Sequence, residues 1–183
     1  MSRWSRADWL AFGEVRLKAE GPGGLGLDAL CKAAERTRGS FYHHFPSTEA
    51  FVDALVDRWR ARTTDSIGEA ALSARTPELA SKTLLRLTSA IDPHTDLAIR
   101  ALGASRPAVA SAVAEIDETR EGIVAALLAS AYGLDEARAR AGARLFHSVY
   151  LAAQVRRPDD LRGFTSEPYR LLFDLLAKSA SRP

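Results

Sequence analysis

The sequence has one cysteine and no long apolar run, and each shortage excludes a class of protein. A single cysteine, Cys31, allows neither an intrachain disulfide nor a zinc site built from several cysteines. No apolar run approaches the roughly 18 residues that a transmembrane helix requires. Asp8, Glu14 and Arg16 interrupt the apolar residues near the N-terminus, so a secretory signal peptide is not predicted. We therefore expect a cytoplasmic protein with no membrane partner.

An excess of charge of one sign is also nearly absent. The chain has 25 Lys and Arg against 23 Asp and Glu, and its net charge is +2. Both excess positive charges fall within residues 1–62. Such a mild excess permits contact with phosphates but does not by itself indicate a nucleic-acid binder. The 183 residues, of which 46% are hydrophobic, suffice for one domain or two small ones with a buried core.

The sequence is rich in apolar residues at helical spacing. Clusters of glycine and proline separate the helical segments, and Gly21–Gly24 is the clearest break. Helices are predicted over residues 5–20, 27–34, 38–45, 48–72, 77–91, 94–103, 107–131, 135–156 and 166–179. No segment alternates convincingly as a strand does, so the predicted fold class is all-α with about nine helices. A three-helix head, residues 1–47, precedes a helical bundle, residues 48–183.

Residues 27–51, LDALCKAAERTRGSFYHHFPSTEAF, carry the pattern that points most directly to a function. Two short helices joined by a tight turn are the geometry that places a second helix in the major groove of DNA. Two polar residues form the predicted turn, and Thr37 caps the second helix through its hydroxyl. Phe41 and Phe45 are four residues apart and set the buried side of that helix. The opposite side is therefore predicted to be exposed and polar.

The predicted exposed side supplies the side chains that a DNA-reading helix uses. Arg38 can bond guanine through two N–H groups, and Ser40 can donate to or accept from a base edge. Tyr42 and the two histidines after it can reach phosphates or a thymine methyl group. Gly39 permits close approach of the backbone. The candidate DNA-binding residues are therefore Thr37, Arg38, Gly39, Ser40, Tyr42, His43, His44, Ser47 and Thr48.

The run RGSFYHHFPS, residues 38–47, resembles the recognition helix of the TetR family of bacterial repressors. The similarity extends over residues 6–56, and the rest of the chain resembles the family in helical layout and length. The resemblance implies a homodimer with two heads that bind double-stranded operator DNA. It also implies that a small-molecule effector binds the C-terminal bundle and releases the DNA. Arg38 and Ser40 take base-reading roles by this resemblance.

Three positions depart from the family's usual pattern. Glu35 and Arg36 stand where the family usually has a small residue followed by an apolar one. Thr48 stands where the family usually has a lysine that pairs with phosphate. These departures bear on DNA affinity more than on the fold. They also motivate an alternative, in which the head is degenerate and the chain is a helical ligand-binding or protein-interaction module.

Other candidate residues have a structural interpretation as well as a functional one. His43 and His44 project about 100° apart on a helix, which makes them a poor pair of metal ligands. Cys31 lies on the inward stripe of its helix and is interpreted as a small buried side chain. Asp117 and Arg120 are three residues apart, which predicts a surface ion pair. Since no catalytic spacing occurs, we expect no enzymatic activity, no cofactor and no metal.

The helical bundle between residues 77 and 155 is predicted to hold the effector pocket. Such pockets are mostly apolar with a few polar groups. His147 could bond a ligand or could be satisfied within the core or an interface, and the second interpretation is favoured. The predicted pocket residues, chosen from helical phase, are Leu84, Leu87, Leu102, Ile123, Leu127, Phe146, His147 and Tyr150.

Two C-terminal segments carry the prediction of a homodimer. Residues 137–153 are rich in alanine, which lets helices approach closely, and residues 166–179 carry an apolar stripe wider than one contact requires. A stripe of this width indicates that the helix packs against two neighbours. One of them is a partner chain, in an isologous four-helix interface, or else the helix is buried wholly within its own subunit. The candidate interface residues are Ala141, Leu145, Tyr169, Leu172, Phe173 and Leu176.

Overall fold

The structure, a computed structural model, describes residues 4–180 and is all-helical, as predicted. Within that range no β-strand occurs, and no helix is long and apolar enough to span a bilayer. The α-helices are α1 (Arg6–Glu20), α2 (Leu27–Ala34), α3 (Arg38–Tyr42), α4 (Thr48–Arg60), α5 (Ser66–Leu72), α6 (Pro77–Thr88), α7 (Pro93–Gly103), α8 (Pro107–Tyr132), α9 (Glu136–Arg156) and α10 (Leu161–Ala180).

A π-helical segment, Ala61–Asp65, joins α4 to α5 without a break, so these two form one continuous helix. The described residues therefore contain nine continuous α-helical stretches. Short 3-10 helices, Gly21–Leu25 and Pro158–Asp160, follow α1 and α9. The π-helix is rare and often marks a functional position, because it turns side chains away from the ordinary helical phase.

The chain forms two compact units. Of the described residues, the N-terminal unit holds 4–61 and 94–113, and the C-terminal unit holds 62–93 and 114–180. The chain therefore crosses between the units three times, and all three crossings, at residues 61–62, 93–94 and 113–114, lie inside helical segments.

An aromatic cluster forms the core of the N-terminal unit. Phe41 is fully buried, and its ring lies 5.4 Å from the ring of Trp9 and 5.3 Å from those of Phe45 and Phe51. Gly13 on α1 permits this packing, because a Cβ there would lie 2.5 Å from Cζ of Phe51. Edge-to-face pairs of this kind add to the stability that burial of the rings supplies.

A buried carboxylate connects α7 to α4 within the N-terminal unit. Asp96 is fully buried and accepts a hydrogen bond from the Trp59 indole N–H at 3.1 Å. Arg100 Nε donates to the other oxygen of Asp96 at 3.0 Å. The residues thus form a desolvated network of one anion and two donors, in which each polar group depends on the others.

The C-terminal unit packs α8, α9 and α10 around Leu128, Leu134, Ala139 and Phe146. The apolar stripe of α10 is half-buried against this cluster and comprises Tyr169, Leu172, Phe173 and Leu176. The Tyr169 hydroxyl donates to the Phe146 carbonyl at 3.2 Å, and burial raises the pKa of Tyr169. These contacts fix one side of α10 inside its own chain.

Some predicted helix boundaries differ from those of the structure. The last helix begins at Leu161 instead of residue 166, and Pro168 lies within it. Proline is best tolerated in the first turn of a helix, so the sequence favoured a later start. The third helix of the head, α3, ends at Tyr42 instead of residue 45, because turn-type bonds such as His44 N–H to the Phe41 carbonyl replace the α-helical pattern there.

Candidate nucleic-acid interface

The turn between α2 and α3 is short and strongly hydrogen-bonded. Glu35 adopts the left-handed conformation with φ of 52°, and its N–H donates to the Lys32 carbonyl at 3.2 Å. The Arg36 N–H donates to the Cys31 carbonyl at 2.9 Å, which completes the C-terminal cap of α2. Thr37 is then extended and accepts a hydrogen bond from the Ser40 N–H at 3.1 Å. The predicted helix-turn-helix geometry is therefore present.

The side of α3 opposite the aromatic cluster is open to solvent. Tyr42 is 49% exposed, and Arg38, Gly39 and His43 are also exposed. The position that a Cβ would take at Gly39 has no atom nearer than 3.8 Å. Ser40 is half-buried. Polar donors, an aromatic ring and an open stretch of backbone thus lie together on a short, well-anchored helix.

Arg38 has a partner that the sequence did not predict. Its Nε donates to Oδ1 of Asp28 at 2.8 Å, although both side chains are well exposed. This hydrogen bond and the negative charge of Asp28 raise the pKa of Arg38. The guanidinium is therefore oriented before DNA arrives. An Arg side chain has five N–H donors, so bonding Asp28 leaves others available for a base.

His44 contacts the segment before α1. Its Nε2 lies 2.8 Å from the Trp4 carbonyl oxygen, and since the carbonyl can only accept, Nε2 is the donor. Trp4 in turn packs edge-on against Trp9 at 5.0 Å and lies under the Arg36 guanidinium at 5.2 Å. The half-buried His44 therefore holds the N-terminal segment, whereas its neighbour His43 is exposed.

The two predicted contact residues at the start of α4 have intramolecular partners. The Ser47 side chain accepts from the Ala50 N–H at 3.0 Å and so caps α4. The Thr48 hydroxyl donates to Glu49 at 3.1 Å, a bond that, with the backbone N–H of Glu49, lowers the pKa of that carboxyl. A cation is nevertheless nearby, because the guanidinium of the exposed Arg6 lies 5.2 Å from the Phe45 ring.

Cys31, the only cysteine, is buried on the inner side of α2. Burial, and to a lesser extent the charge of Asp28, raise the pKa of its thiol. Since the thiolate is the reactive form, this environment suppresses its chemistry.

The C-terminal unit contains a mostly apolar cavity of about 100 Å³. Six of the eight predicted pocket residues line it, whereas Leu87 does not, and Leu102 is fully buried in the N-terminal unit. The six are Leu84, Ile123, Leu127, Phe146, His147 and Tyr150. Leu102 was grouped with the others only by helical phase, which carries no information about the unit to which a helix belongs.

Several polar residues of the cavity wall were not predicted to line it, among them Arg120, Thr63 and Thr64. Arg120 is only 9% exposed and donates from Nε to the Thr64 hydroxyl and from Nη2 to the Thr63 hydroxyl, both at 2.9 Å. Its Nη1 lies 3.8 Å from Asp117, and the buried His147 lies 3.1 Å from the same carboxylate oxygen. Asp117 and Arg120 therefore do pair as predicted, but the prediction that the pair lies on the surface was wrong.

The predicted interface residues fall into two groups. Tyr169, Leu172, Phe173 and Leu176 are half-buried within their own chain, as described above. Ala141 and Leu145 of α9 are exposed, and so are two residues of α10 next to the predicted stripe. These apolar side chains are 53%, 60% and 54% exposed at Leu145, Leu171 and Leu175, respectively.

Comparison with known proteins places the helix-turn-helix region. A family model described as "Bacterial regulatory proteins, tetR family" matches residues 16–55, which run from α1 into α4. The HTH-type transcriptional repressor NemR of Escherichia coli, in strains K12 and O6:H1, is 46% identical over 54 residues. Residues 16–55 are therefore similar to the helix-turn-helix region of TetR-family regulators.

The rest of the chain is similar to a known protein in its fold. The match to NemR covers 30% of this chain and 27% of NemR. The structure of the ketosteroid transcriptional regulator KstR2 of Mycobacterium tuberculosis superposes with a TM-score of 0.69 over 95% of this chain and 96% of that chain. Sequence identity to KstR2 is 16%, so this similarity concerns the fold.

Replacement of Glu35 by glycine should stabilise the helix-turn-helix head by about 0.5–1 kcal/mol. A side chain in the left-handed region meets its own backbone, and glycine lacks the Cβ that causes this strain, although it loses more entropy on folding. Glu35→Ala is the matched control, because it removes the same charge and keeps the strain. Chemical denaturation of both variants measures the difference. Equal stabilisation by alanine and glycine would assign the effect to charge and contradict this explanation.

Proposed function

We propose that this protein is a TetR-family repressor that binds operator DNA as a homodimer and releases it when a small effector occupies the C-terminal unit. The observation that carries the proposal is the exposed flank of α3 above the fully buried Phe41. A short helix that is anchored on one side and polar on the other is suited to enter the major groove.

The side chains of α3 have distinct proposed roles at the DNA. Arg38, oriented by Asp28, reads a guanine, and Ser40 reads a neighbouring base edge. Tyr42, Gly39 and His43 face the groove or the backbone. The cap residues Thr37 and Ser47 set the positions of α3 and α4 near the phosphates, and Thr48 and His44 complete the DNA-facing surface.

The proposed homodimer would pair two heads. The exposed leucines of α9 and α10, Leu145, Leu171 and Leu175, are the side chains that we propose to bury between two chains. Ala141 lies one helical turn before Leu145 and permits close approach. A two-fold dimer would place its heads on half-sites separated by about one turn of DNA or a multiple of it.

Effector response is proposed to act through the helical crossings between the units. A ligand shifts a conformational equilibrium only if it binds one state more tightly. The cavity lies in the C-terminal unit, and Thr63 and Thr64 are part of its wall. Both residues belong to the continuous helix formed by α4, the π-helical segment and α5, which begins shortly after α3. An effector that prefers the non-binding arrangement would therefore lower operator affinity.

Selection of bound fragments from the host genome, followed by titration at increasing salt, tests the DNA-binding proposal. We expect a linear fall of log affinity with log salt concentration, because bound cations release counterions from DNA. Sedimentation of the complex should give an even number of chains per operator. A fragment of shuffled sequence is the control for specificity.

A second candidate function follows from two departures from the family's usual pattern. Glu35 places a negative charge in the turn, and Thr48, where the family usually has a lysine, donates its hydroxyl to Glu49. In this alternative the head is degenerate, and the chain is a ligand-binding or protein-interaction module. Absence of any retained DNA at low salt would favour this alternative and reject the repressor.

A further inference from the structure

The cavity of the C-terminal unit has a cationic end, to which α8, the π-helical segment and α9 each contribute side chains. Arg120 extends from α8, its side chain is 10% exposed, and its Nε and Nη2 bond Thr64 and Thr63 of the π-helical segment. In an α-helix, consecutive side chains project about 100° apart. The wider turn of the π-helix reduces this angle, which lets two adjacent hydroxyls bind one edge of one guanidinium.

The threonine hydroxyls accept hydrogen bonds from Arg120, so they do not neutralise its charge. Asp117 supplies a carboxylate close to Arg120. Its Oδ1 lies 3.8 Å from Nη1 of Arg120 and 3.1 Å from Nε2 of His147. Arg120 and His147 line the cavity, whereas Asp117 is not part of its wall. Two residues that carry N–H donors therefore line the cavity, and the carboxylate that contacts both of them belongs to a residue outside its wall.

The remainder of the cavity wall is mostly apolar, and the volume of the cavity limits what can bind. Ile67, Leu84, Ile123, Leu127 and Phe146 supply most of the surface away from Arg120. About 100 Å³ is somewhat smaller than a cavity of about 150 Å³ that accepts benzene. The apolar part of a ligand is thus limited to about one ring or a short alkyl chain.

We propose that the cavity binds a small monocarboxylate, with its carboxylate at Arg120 and His147 and one ring or short chain against Ile123 and Leu127. This inference rests on the proposed function, since it names the chemical class of the effector. A carboxylate is the group that an Arg fork recognises with two parallel bonds, and such charge-assisted bonds strengthen where water is excluded. An amine at the same position would face a buried cation.

Calorimetric titration of the full chain, without DNA, tests the charge preference. The probes are benzoate, benzamide and benzylamine, which share a ring and differ in the polar group. We expect benzoate to bind at least about tenfold more tightly than benzamide, because only the carboxylate offers two charged acceptors to the guanidinium. Benzylamine should not bind measurably. Equal affinity for benzoate and benzamide, tighter binding of benzylamine, or no binding of benzoate at millimolar concentration would overturn the proposal.

Two variants locate the binding site. Arg120→Gln should weaken benzoate binding by about tenfold or more and leave benzamide unaffected. Asp117→Asn removes the competing anion and should strengthen benzoate binding several-fold, roughly in line with one weakened charge interaction. Arg140→Gln on the exposed face of α9 is the matched control and should change nothing. If Arg120→Gln does not fold, Asp117→Asn decides alone, and unchanged or weaker binding of benzoate to it overturns the assignment.

The outcomes separate this inference from the proposed function. Benzoate that binds but leaves operator affinity unchanged would support the carboxylate site and contradict its role as an effector site. Loss of operator binding by the wild-type chain would reject the repressor without affecting the calorimetric result. The two experiments therefore fail independently.

Discussion

Replacement of Arg38 by alanine should weaken operator binding by about 1–3 kcal/mol for each head, the value of one good side-chain contact to a base. In a dimer that engages both half-sites the two losses add, because the heads lie far apart and share no partner. Each 1.4 kcal/mol is a factor of ten, so a summed loss of about 2–6 kcal/mol should lower the affinity of the dimer by roughly 30-fold to 10,000-fold. The loss should be greatest for the selected operator and small for unrelated DNA.

Two further variants complete the Arg38 experiment. Tyr42→Ala should also weaken binding, since Tyr42 is the exposed aromatic side chain of α3. Arg75→Ala removes the same side-chain type at an exposed position of the C-terminal unit and should leave affinity unchanged. Gel retardation at fixed salt measures all three. Unchanged affinity in both α3 variants would reject α3 as the recognition helix.

Replacement of Asp96 by alanine should destabilise the protein by about 3–5 kcal/mol, which is a large part of the total stability of a typical domain. The change leaves the Trp59 indole N–H and the Arg100 guanidinium without the buried oxygens that accept from them at 3.1 and 3.0 Å. Loss of a charged hydrogen-bond partner is more costly than loss of a neutral one, and the Arg100 side chain, which is 21% exposed, loses such a partner here.

Matched variants separate the charge of Asp96 from its hydrogen bonds. Asp96→Asn keeps an oxygen that can accept from Trp59 but loses the charge opposite Arg100, so its loss of stability should be intermediate. Asp53→Ala on the exposed side of α4 should change stability by no more than about 0.5 kcal/mol. Urea denaturation gives the free energies. A loss below about 1 kcal/mol for Asp96→Ala would show that the network contributes little, in conflict with the cost expected for a buried charge.

Much of the fold followed from local chemistry. The bounds of α2 were predicted because its apolar stripe has helical spacing and the residues after it form a turn. Pro77 and Asp135 similarly indicated the starts of α6 and α9, and Thr76 and Asp135 do cap them. The start of α10 was missed because Pro168 at an interior position contradicts the local preference, and packing against α9 outweighs it.

The candidate interface was predictable in its orientation and less so in its contacts. The spacing of Phe41 and Phe45 fixed which side of α3 is buried. The partners of Arg38 and His44 could not be predicted, because Asp28 and Trp4 lie 10 and 40 residues away in the sequence. Such bonds depend on tertiary placement, which helical periodicity does not specify.

The polar end of the cavity was not predicted for the same reason, because helical periodicity does not specify tertiary contacts. A spacing of three residues correctly paired Asp117 with Arg120, but the two threonines that bury the guanidinium lie more than 50 residues earlier. The π-helical segment that brings them together has no signature in the sequence. A pair that local rules assign to the surface therefore became the most polar feature of an apolar cavity.

The buried thiol of Cys31 has a practical consequence for distance measurements on this protein with attached probes. Because the only native sulfhydryl is sequestered with a raised pKa, a second one introduced at an exposed site such as Ala19 would be alkylated almost exclusively. A spin label or dye attached there needs no cysteine-free background. Two labelled copies in one assembly would then report the separation of their DNA-reading ends with and without a bound carboxylate.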